Sequence, residues 1–498
     1  MNHLIEGFHM VMQVDVLLTI LCASIYGLIV GALPGLSATM ATALLVPVTF
    51  YMSLIAAISA IIAASAVAIF SGDIPGCLLR IPGTPASAAY TDEAFAMTMK
   101  GQPELALGIC LWFSAIGGIV GTISLIALAP MLAEFAFQFS TFEYFWLALL
   151  GLMCANMVAQ SSPVKAIAAM FLGLLITCVG IENPAGAHRF MFGLEDLLGG
   201  IEIIPVLVGV LAVSEVMRGY KASEIPVMAP RKFGSILKGQ WALTKSHPKQ
   251  PIRGNIVGFI IGVLPSARAD MAAWISYAMS KRFSKTPELF GTGHPEGLIE
   301  AGASNNASLA SGWVPSLLFG IPGDTITAIA IGVLYMKDLN PGPTLFTEKA
   351  SSMYALYIVF MLSNIIMIPL GIWIIRSARY VLYVPRSLIM PVIVLLCAEG
   401  SFATGNNLAL VFAMATFGLI GYFMDKNGYP VAALVLGAVM GTMVEQNFVT
   451  SLIKSDGSVL PFFCRPVAAV LAFMTIAAIL WPLAVWLRRK SSATTVAA

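Results

Sequence analysis

The sequence predicts an all-α polytopic membrane protein made of two inverted structural repeats with broken, re-entrant helices. Three observations carry that prediction. Of 498 residues, 58% are hydrophobic and 10% charged, with a mean hydropathy of +0.89, whereas a soluble domain carries about 25% charged residues. Apolar runs near membrane-spanning length recur along the chain. Two stretches rich in proline and glycine, residues 71–83 and 311–323, share the skeleton S-G-x-x-P-x-x-L-x-x-I-P-G.

The apolar runs include residues 14–33, 112–132, 357–375 and 467–487. A helical span needs about 20 such residues, and a β-barrel would show short alternating segments instead. The first run is long enough to span and lacks the basic flank of a cleavable signal peptide, so it is expected to be retained. Seven cysteines are scattered singly with no CxxC, which reads as packing rather than disulfides or metal ligands. The net charge of +2 gives no reason to expect a nucleic-acid partner.

One long polar segment, residues 218–254, carries Arg218, Lys221, Arg231, Lys232, Lys238, Lys245, Lys249 and Arg253 against the single acid Glu224. The positive-inside rule places it in the cytoplasm. The same rule places Arg488, Arg489 and Lys490 there, and residues 1–14, with Glu6 and no Lys or Arg, permit an outside N-terminus. The expected division is a first membrane repeat at 1–217, a basic linker at 218–254, a second repeat at 255–455, and an added C-terminal helix with a cytoplasmic tail at 456–498.

A second pair of segments supports the duplication. GLIVGALPGLSATMA at 27–41 matches GFIIGVLPSARADMA at 258–272, with Gly27 answering to Gly258. In the proline-glycine skeletons Ser71 answers to Ser311, so the two pairs keep their order and nearly their spacing. The first copy starts outside and the second starts from the cytoplasmic linker, so the copies are inverted.

In hydrocarbon an unpaired backbone group costs several kcal/mol, so irregular backbone survives only inside protein or along a water-filled cavity. Breaks at matching places in two inverted halves point to a secondary transporter's binding site. Free N–H groups at a helix start suit an anion, and exposed carbonyls suit a cation such as Na+. The substrate-binding candidates beside the breaks are Ser37, Thr39, Thr84, Ser87, Asn305, Asn306 and Thr325, with Arg268 as the anion's countercharge. Capping and helix packing compete as readings of the Ser and Thr residues. Ionisable groups at membrane depth are functional candidates, and Asp73, Asp270 and Asp324 are the cation-coupling candidates. Glu182, His188, Arg189, Glu202, Glu215 and Glu445 are expected at the membrane interface, and His294 in solvent. No catalytic residue and no metal site are expected.

The combination GALPG, IPGTPA followed by KGQPELALG, and FGTGHPEG…SNNASLASG…FGIPGD…NPGP resembles the large membrane subunit of tripartite tricarboxylate transporters, the TctA family, over essentially the whole chain. The resemblance implies an elevator-type carrier in a bacterial inner membrane, driven by a Na+ or H+ gradient and needing no other cofactor. It implies two partners, a small TctB-like membrane subunit and a periplasmic TctC-like solute-binding protein that delivers an organic acid. The chain departs from the family pattern at Pro265-Ser266 with Arg268, at Gly302, and at Asp73 and Arg80. These positions fall on the expected site, so the expectation is an organic carboxylate rather than citrate in particular. The rival readings are an anion channel and an intramembrane enzyme, the latter from Gly72-Asp73 and Gly323-Asp324. Neither dipeptide carries the full GxGD of aspartyl proteases, and the chain has no HExxH.

Overall fold

The computed structural model describes residues 2–33, 36–158, 163–180, 187–193, 197–219, 234–264, 269–381 and 386–479. The described residues are helical throughout, with no strand among them. The first half runs α1 (Asn2–Val11), α2 (Val14–Ala32), α3 (Ala38–Thr49), α4 (Leu54–Ser71), α5 (Asp73–Leu79), α6 (Thr91–Met99), α7 (Pro103–Ala136), α8 (Thr141–Val158), α9 (Pro163–Thr177), α10 (Ile203–Val208) and α11 (Ser214–Gly219). A π-helical turn, Gly209–Val213, joins the last two. The second half runs α12 (Gln240–Ser246), α13 (Lys249–Val263), α14 (Ala269–Phe283), α15 (Pro295–Phe319), α16 (Thr325–Met336), α17 (Leu345–Glu348), α18 (Ala350–Val381), α19 (Arg386–Gly405), α20 (Leu408–Lys426), α21 (Val431–Lys454) and α22 (Pro461–Cys464). A further apolar helix, α23 (Pro466–Ile479), follows.

Among the described residues, six helical segments are long and apolar enough to cross a membrane. In the apolar stretch of Leu54–Leu79, 89% of the residues are buried within the protein, whereas in that of Leu408–Lys426 28% are. The first therefore lies inside the bundle, and the second lies at its periphery. Without a hydrophobic force between helices in lipid, close association needs small residues at the contacts. The chain supplies them. A Cβ added at Gly27 or Gly31 of α2 would lie 2.4 Å from Ala64 O or 2.6 Å from Ala68 O of α4. On the second half, a Cβ at Gly258 or Gly262 of α13 would lie 2.4 Å from Ser304 O or 2.5 Å from Ser308 O of α15.

These contacts recur in the registers read from the sequence. Gly27 and Gly31 map onto Gly258 and Gly262 in the register of the first segment pair, and Ala64 and Ala68 onto Ser304 and Ser308 in that of the second. Ser71 Oγ donates to Gly27 O at 3.3 Å, and Ser311 Oγ donates to Gly258 O at 3.4 Å. Helices α2 and α13 also end alike. Leu33 and Leu264 both precede a proline, which disfavours helical backbone, and both are extended, with ψ of 118° and 123°.

The halves interlock through their long helices. Helix α7 of the first half packs on α15 of the second, and α18 of the second packs on α4 of the first. At the α7–α15 contact a Cβ on Gly117 would lie 2.1 Å from Ala303 O. The linker is not a free loop where it is described. Ile236 is buried, Trp112 Nε1 of α7 donates to Thr244 Oγ1 at 3.0 Å, and Gln240 Nε2 donates to Leu105 O at 3.3 Å.

Candidate functional site

The two irregular tips are narrower than the sequence motifs suggest. Backbone stays helical through Leu79 and through Phe319, so the S-G-x-x-P portions lie in helices. Pro75 falls in the first turn of α5, where a missing N–H costs nothing, and Pro315 lies inside α15. The breaks begin at Arg80 and Gly320, both left-handed, with φ of 59° and 66°. Arg80 N–H donates to Gly76 O and Ile81 N–H to Pro75 O, at 3.2 and 3.3 Å. Gly320 N–H donates to Ser316 O and Ile321 N–H to Pro315 O at the same two distances. Each residue of the second set stands at the same offset from one in the first, the offset that pairs Ser71 with Ser311.

Each tip then folds back against its own helix. Gly83 N–H donates to Gly72 O at 3.1 Å. A Cβ on Gly83 would sit 2.5 Å from that oxygen, and one on Gly323 would sit 3.0 Å from Gly312 O. Two reciprocal caps restart the chain. Thr84 N–H donates to Ser87 Oγ at 3.1 Å and Ser87 N–H to Thr84 Oγ1 at 3.0 Å. Asp324 N–H donates to Thr327 Oγ1, and Thr327 N–H to Asp324 Oδ1, both at 2.8 Å. These pairs satisfy orphan donors as a capping box does, so Thr84, Ser87 and Asp324 hold the tips in shape. Thr325 is half-buried at the start of α16. Ser37 caps α3, its Oγ accepting from Met40 N–H at 3.1 Å.

Ser37 and Thr39 line a cavity of about 380 Å³ together with Pro85 of the first tip. Its opposite wall comes from the π-helical turn, α11, α20 and the start of α21, including Ser214, Glu215, Arg218, Tyr422 and Asp425. Arg218 donates to Glu215 Oε1 at 2.6 Å and to Asp425 Oδ2 at 3.0 Å, tying α11 to α20 across the two halves. A π-turn at such a wall matches the general tendency of these irregularities to mark functional sites.

The double asparagine lies elsewhere, and not on a break. Asn305 and Asn306 sit in the middle of the uninterrupted helix α15, each at most 2% exposed. Asn306 Nδ2 donates to Ser114 O of α7 at 3.2 Å and to Ala66 O of α4 at 3.5 Å. Asn305 Nδ2 is enclosed with no hydrogen-bond partner, and its amide lies beside the Tyr90 hydroxyl. That hydroxyl donates to Asp73 Oδ1 at 2.8 Å. Tyr90 therefore brings together Asp73 of the first half and Asn305 of the second. Asp270 is half-buried in the first turn of α14. Arg268 lies outside the described residues.

Three participants were not singled out from sequence: Tyr90, the Arg218–Asp425 tie, and Glu93. Glu93 is fully buried and accepts from Gly293 N–H at 2.6 Å, His294 N–H at 2.8 Å and Tyr277 Oη at 3.0 Å, and also from Gly291 N–H. Gly291 and Gly293 have φ of 90° and 94°, which leaves nearby N–H groups converging on one acceptor. The glycine spacing in FGTGHPEG is the signal that could have marked such a nest. His294 is thus not solvated. It caps α15 with its side chain 17% exposed, packed on Phe290. Arg189 and Glu445 pair with each other through two hydrogen bonds of 2.6 and 2.9 Å.

Bundled apolar helices, six of them long enough to span, describe a multi-pass membrane protein with two capped tips and a cavity of mixed lining. The family model described as the tripartite tricarboxylate transporter TctA family matches residues 17–436, and the chain belongs to that family. As the TctA component it is one part of a tripartite system. It is similar to an uncharacterized 52.8 kDa protein in the TAR-I ttuC' 3'region of Agrobacterium vitis, 30% identical over 465 residues, covering 93% of this chain and 92% of the relative. It is also similar to an uncharacterized protein in the TAR-II ttuC' 3'region of Agrobacterium vitis, 28% identical over 233 residues, 47% of this chain and 96% of the relative. No solved structure matches it significantly.

Proposed function

We propose that the chain is the large carrier subunit of a binding-protein-dependent secondary transporter of the bacterial inner membrane, importing organic carboxylates by cation symport. Its partners are a small TctB-like membrane subunit and a periplasmic TctC-like solute-binding protein. One observation carries the reading: the tips at 80–87 and 320–327 share the hydrogen bonds that end their helices and the reciprocal caps that restart the chain, in a single constant register. Together with the opposite starting sides read from the sequence, this supports two inverted repeats and an elevator-type movement of the tips across the membrane. An inverted pair explains alternating access, which a channel does not need.

The substrate carboxylate is assigned to the cavity beside Ser37, Thr39 and Pro85, where Arg218 offers the planar fork of donors that suits it. An incoming carboxylate there competes with Glu215 and Asp425 for the guanidinium, which couples binding to the tie between α11 and α20. The paired-aspartate enzyme reading gains no support, because Asp73 takes a tyrosine hydroxyl while Asp324 caps a helix. Reconstitution of the chain with its two partners tests the proposal. Citrate or succinate should accumulate against its gradient only with the binding protein present. Hydrolysis of a membrane peptide, or flux without accumulation, would sink it.

A further inference from the structure

We propose that Asp73 is the group that carries the coupling proton, bound at Oδ2 while the first-half tip is closed. The proposal rests on the symport reading above and sharpens it, naming H+ rather than Na+ as the coupling ion and Asp73 as its carrier.

Asp73 begins α5, within the 26-residue apolar segment Leu54–Leu79, and is 2% exposed. One carboxyl oxygen accepts from Tyr90 Oη at 2.8 Å, and the other, Oδ2, is enclosed with no hydrogen-bond partner. Among the described residues no Lys, Arg or His pairs with it, and no cluster of metal-ligating side chains is found. The titratable groups that face it are Tyr90, before α6, and Cys110, on α7. Cys110 Sγ in turn lies 3.9 Å from Cys77 Sγ. The acids of α6 point elsewhere, Asp92 to Arg80 and Glu93 to the 291–294 turn. Asp15 of α2 stands at that helix's opposite end from Gly31, which meets Ser71.

An ionised carboxylate in such a place needs a counterion or several donors, because a buried unpaired charge is very costly. It has one neutral hydroxyl donor, from Tyr90, and beside it only the weak donor of the Cys110 thiol. A sodium ion needs several oxygen ligands, and among the described residues the side chains placed against the acid are one tyrosine hydroxyl and one thiol. A proton needs only the vacant Oδ2. Binding it forms one O–H bond, with the proton taken from water on one side and returned to water on the other. The position is also mechanically suited to coupling. Asp73 follows Gly72, whose carbonyl holds the tip through Gly83. Through Tyr90 it reaches Asn305 on α15, in the opposite half. A tip that moves must carry Asp73 with it or break that line.

The test pairs infrared difference spectroscopy on the full chain in liposomes with citrate uptake by the complete three-component system. Asp73→Asn keeps an acceptor for Tyr90 and nearly the same shape, so a merely structural acid should tolerate it. The proposal expects a protonated-carboxyl band in the wild-type chain at neutral pH that titrates with bulk pH and is lost in Asp73→Asn. It also expects wild-type citrate uptake to respond to an imposed proton gradient and the variant's uptake to be indifferent to it. An unchanged band in Asp73→Asn, or a variant that responds to the proton gradient as the wild type does, overturns the assignment. Asp73→Glu, which restores the acid, should recover the band. If the wild type moves no citrate under any gradient, the transport reading fails for that substrate, while the infrared arm still decides where the proton sits.

Discussion

Asn305 and Asn306 are neighbours with different work, and the difference yields a prediction for each. Asn306 ties α15 to α7 and α4 through two carbonyls. Interhelical hydrogen bonds in membranes contribute about 1 kcal/mol, so Asn306→Ala should lower the melting temperature of the purified chain measurably. Asn305 donates to no helix carbonyl, its amide lying beside the Tyr90 hydroxyl, so Asn305→Ala should lower the melting temperature less than Asn306→Ala and impair uptake. Equal thermal losses in the two variants would contradict this division. The sequence made both residues conspicuous, as amides placed beside a break, but could not separate them. The partners of Asn306 are remote in the chain, on α7 and α4 of the other half. Thr84, Ser87 and Asp324 were legible for the same reason, being polar residues after a break, and at these positions the capping reading describes what their atoms touch.

At the scale of elements, the glycines of the tips set the tolerances. Gly83 passes its own helix so closely that a methyl group would meet Gly72 O at 2.5 Å, a distance real Cβ atoms do not adopt. Gly323 has slightly more room, at 3.0 Å from Gly312 O. Gly83→Ala should therefore lose folded protein, judged by size-exclusion recovery, more severely than Gly323→Ala. The reverse order would mean that the two tips do not close as described. Proline and glycine positions located the tips to within a few residues. They overstated the breaks because proline in a first turn is compatible with helix, and a helix within a bundle can absorb an internal proline. The docking of α12 and Ile236 against α7 was invisible for another reason. Charge dominated the composition of 218–254, while the contacts that dock it come from Ile236, Gln240 and Thr244.

For the whole molecule, hydropathy made the all-helical membrane class legible, because spanning helices need little beyond length and composition. The sequence paired Gly27 with Gly258 and Ser71 with Ser311, and the glycine contacts and several tip hydrogen bonds follow the same two registers. Sidedness rests on the basic residues between 218 and 253. A reporter active only in the cytoplasm should therefore work when fused near residue 240, and one active only in the periplasm should be silent there. The opposite pattern would reverse the orientation of both halves. The cavity wall was not legible, since Arg218 and Asp425 belong to opposite halves and meet only through packing of α11 on α20.

The most direct test of the account is accumulation of a labelled organic acid by proteoliposomes holding the chain and its small subunit, with binding protein outside and an ion gradient imposed across the membrane. The account predicts uphill accumulation that needs both the binding protein and the gradient, and that stops when an ionophore collapses the gradient. Accumulation that survives the ionophore, or entry that only equilibrates the two sides, would contradict it.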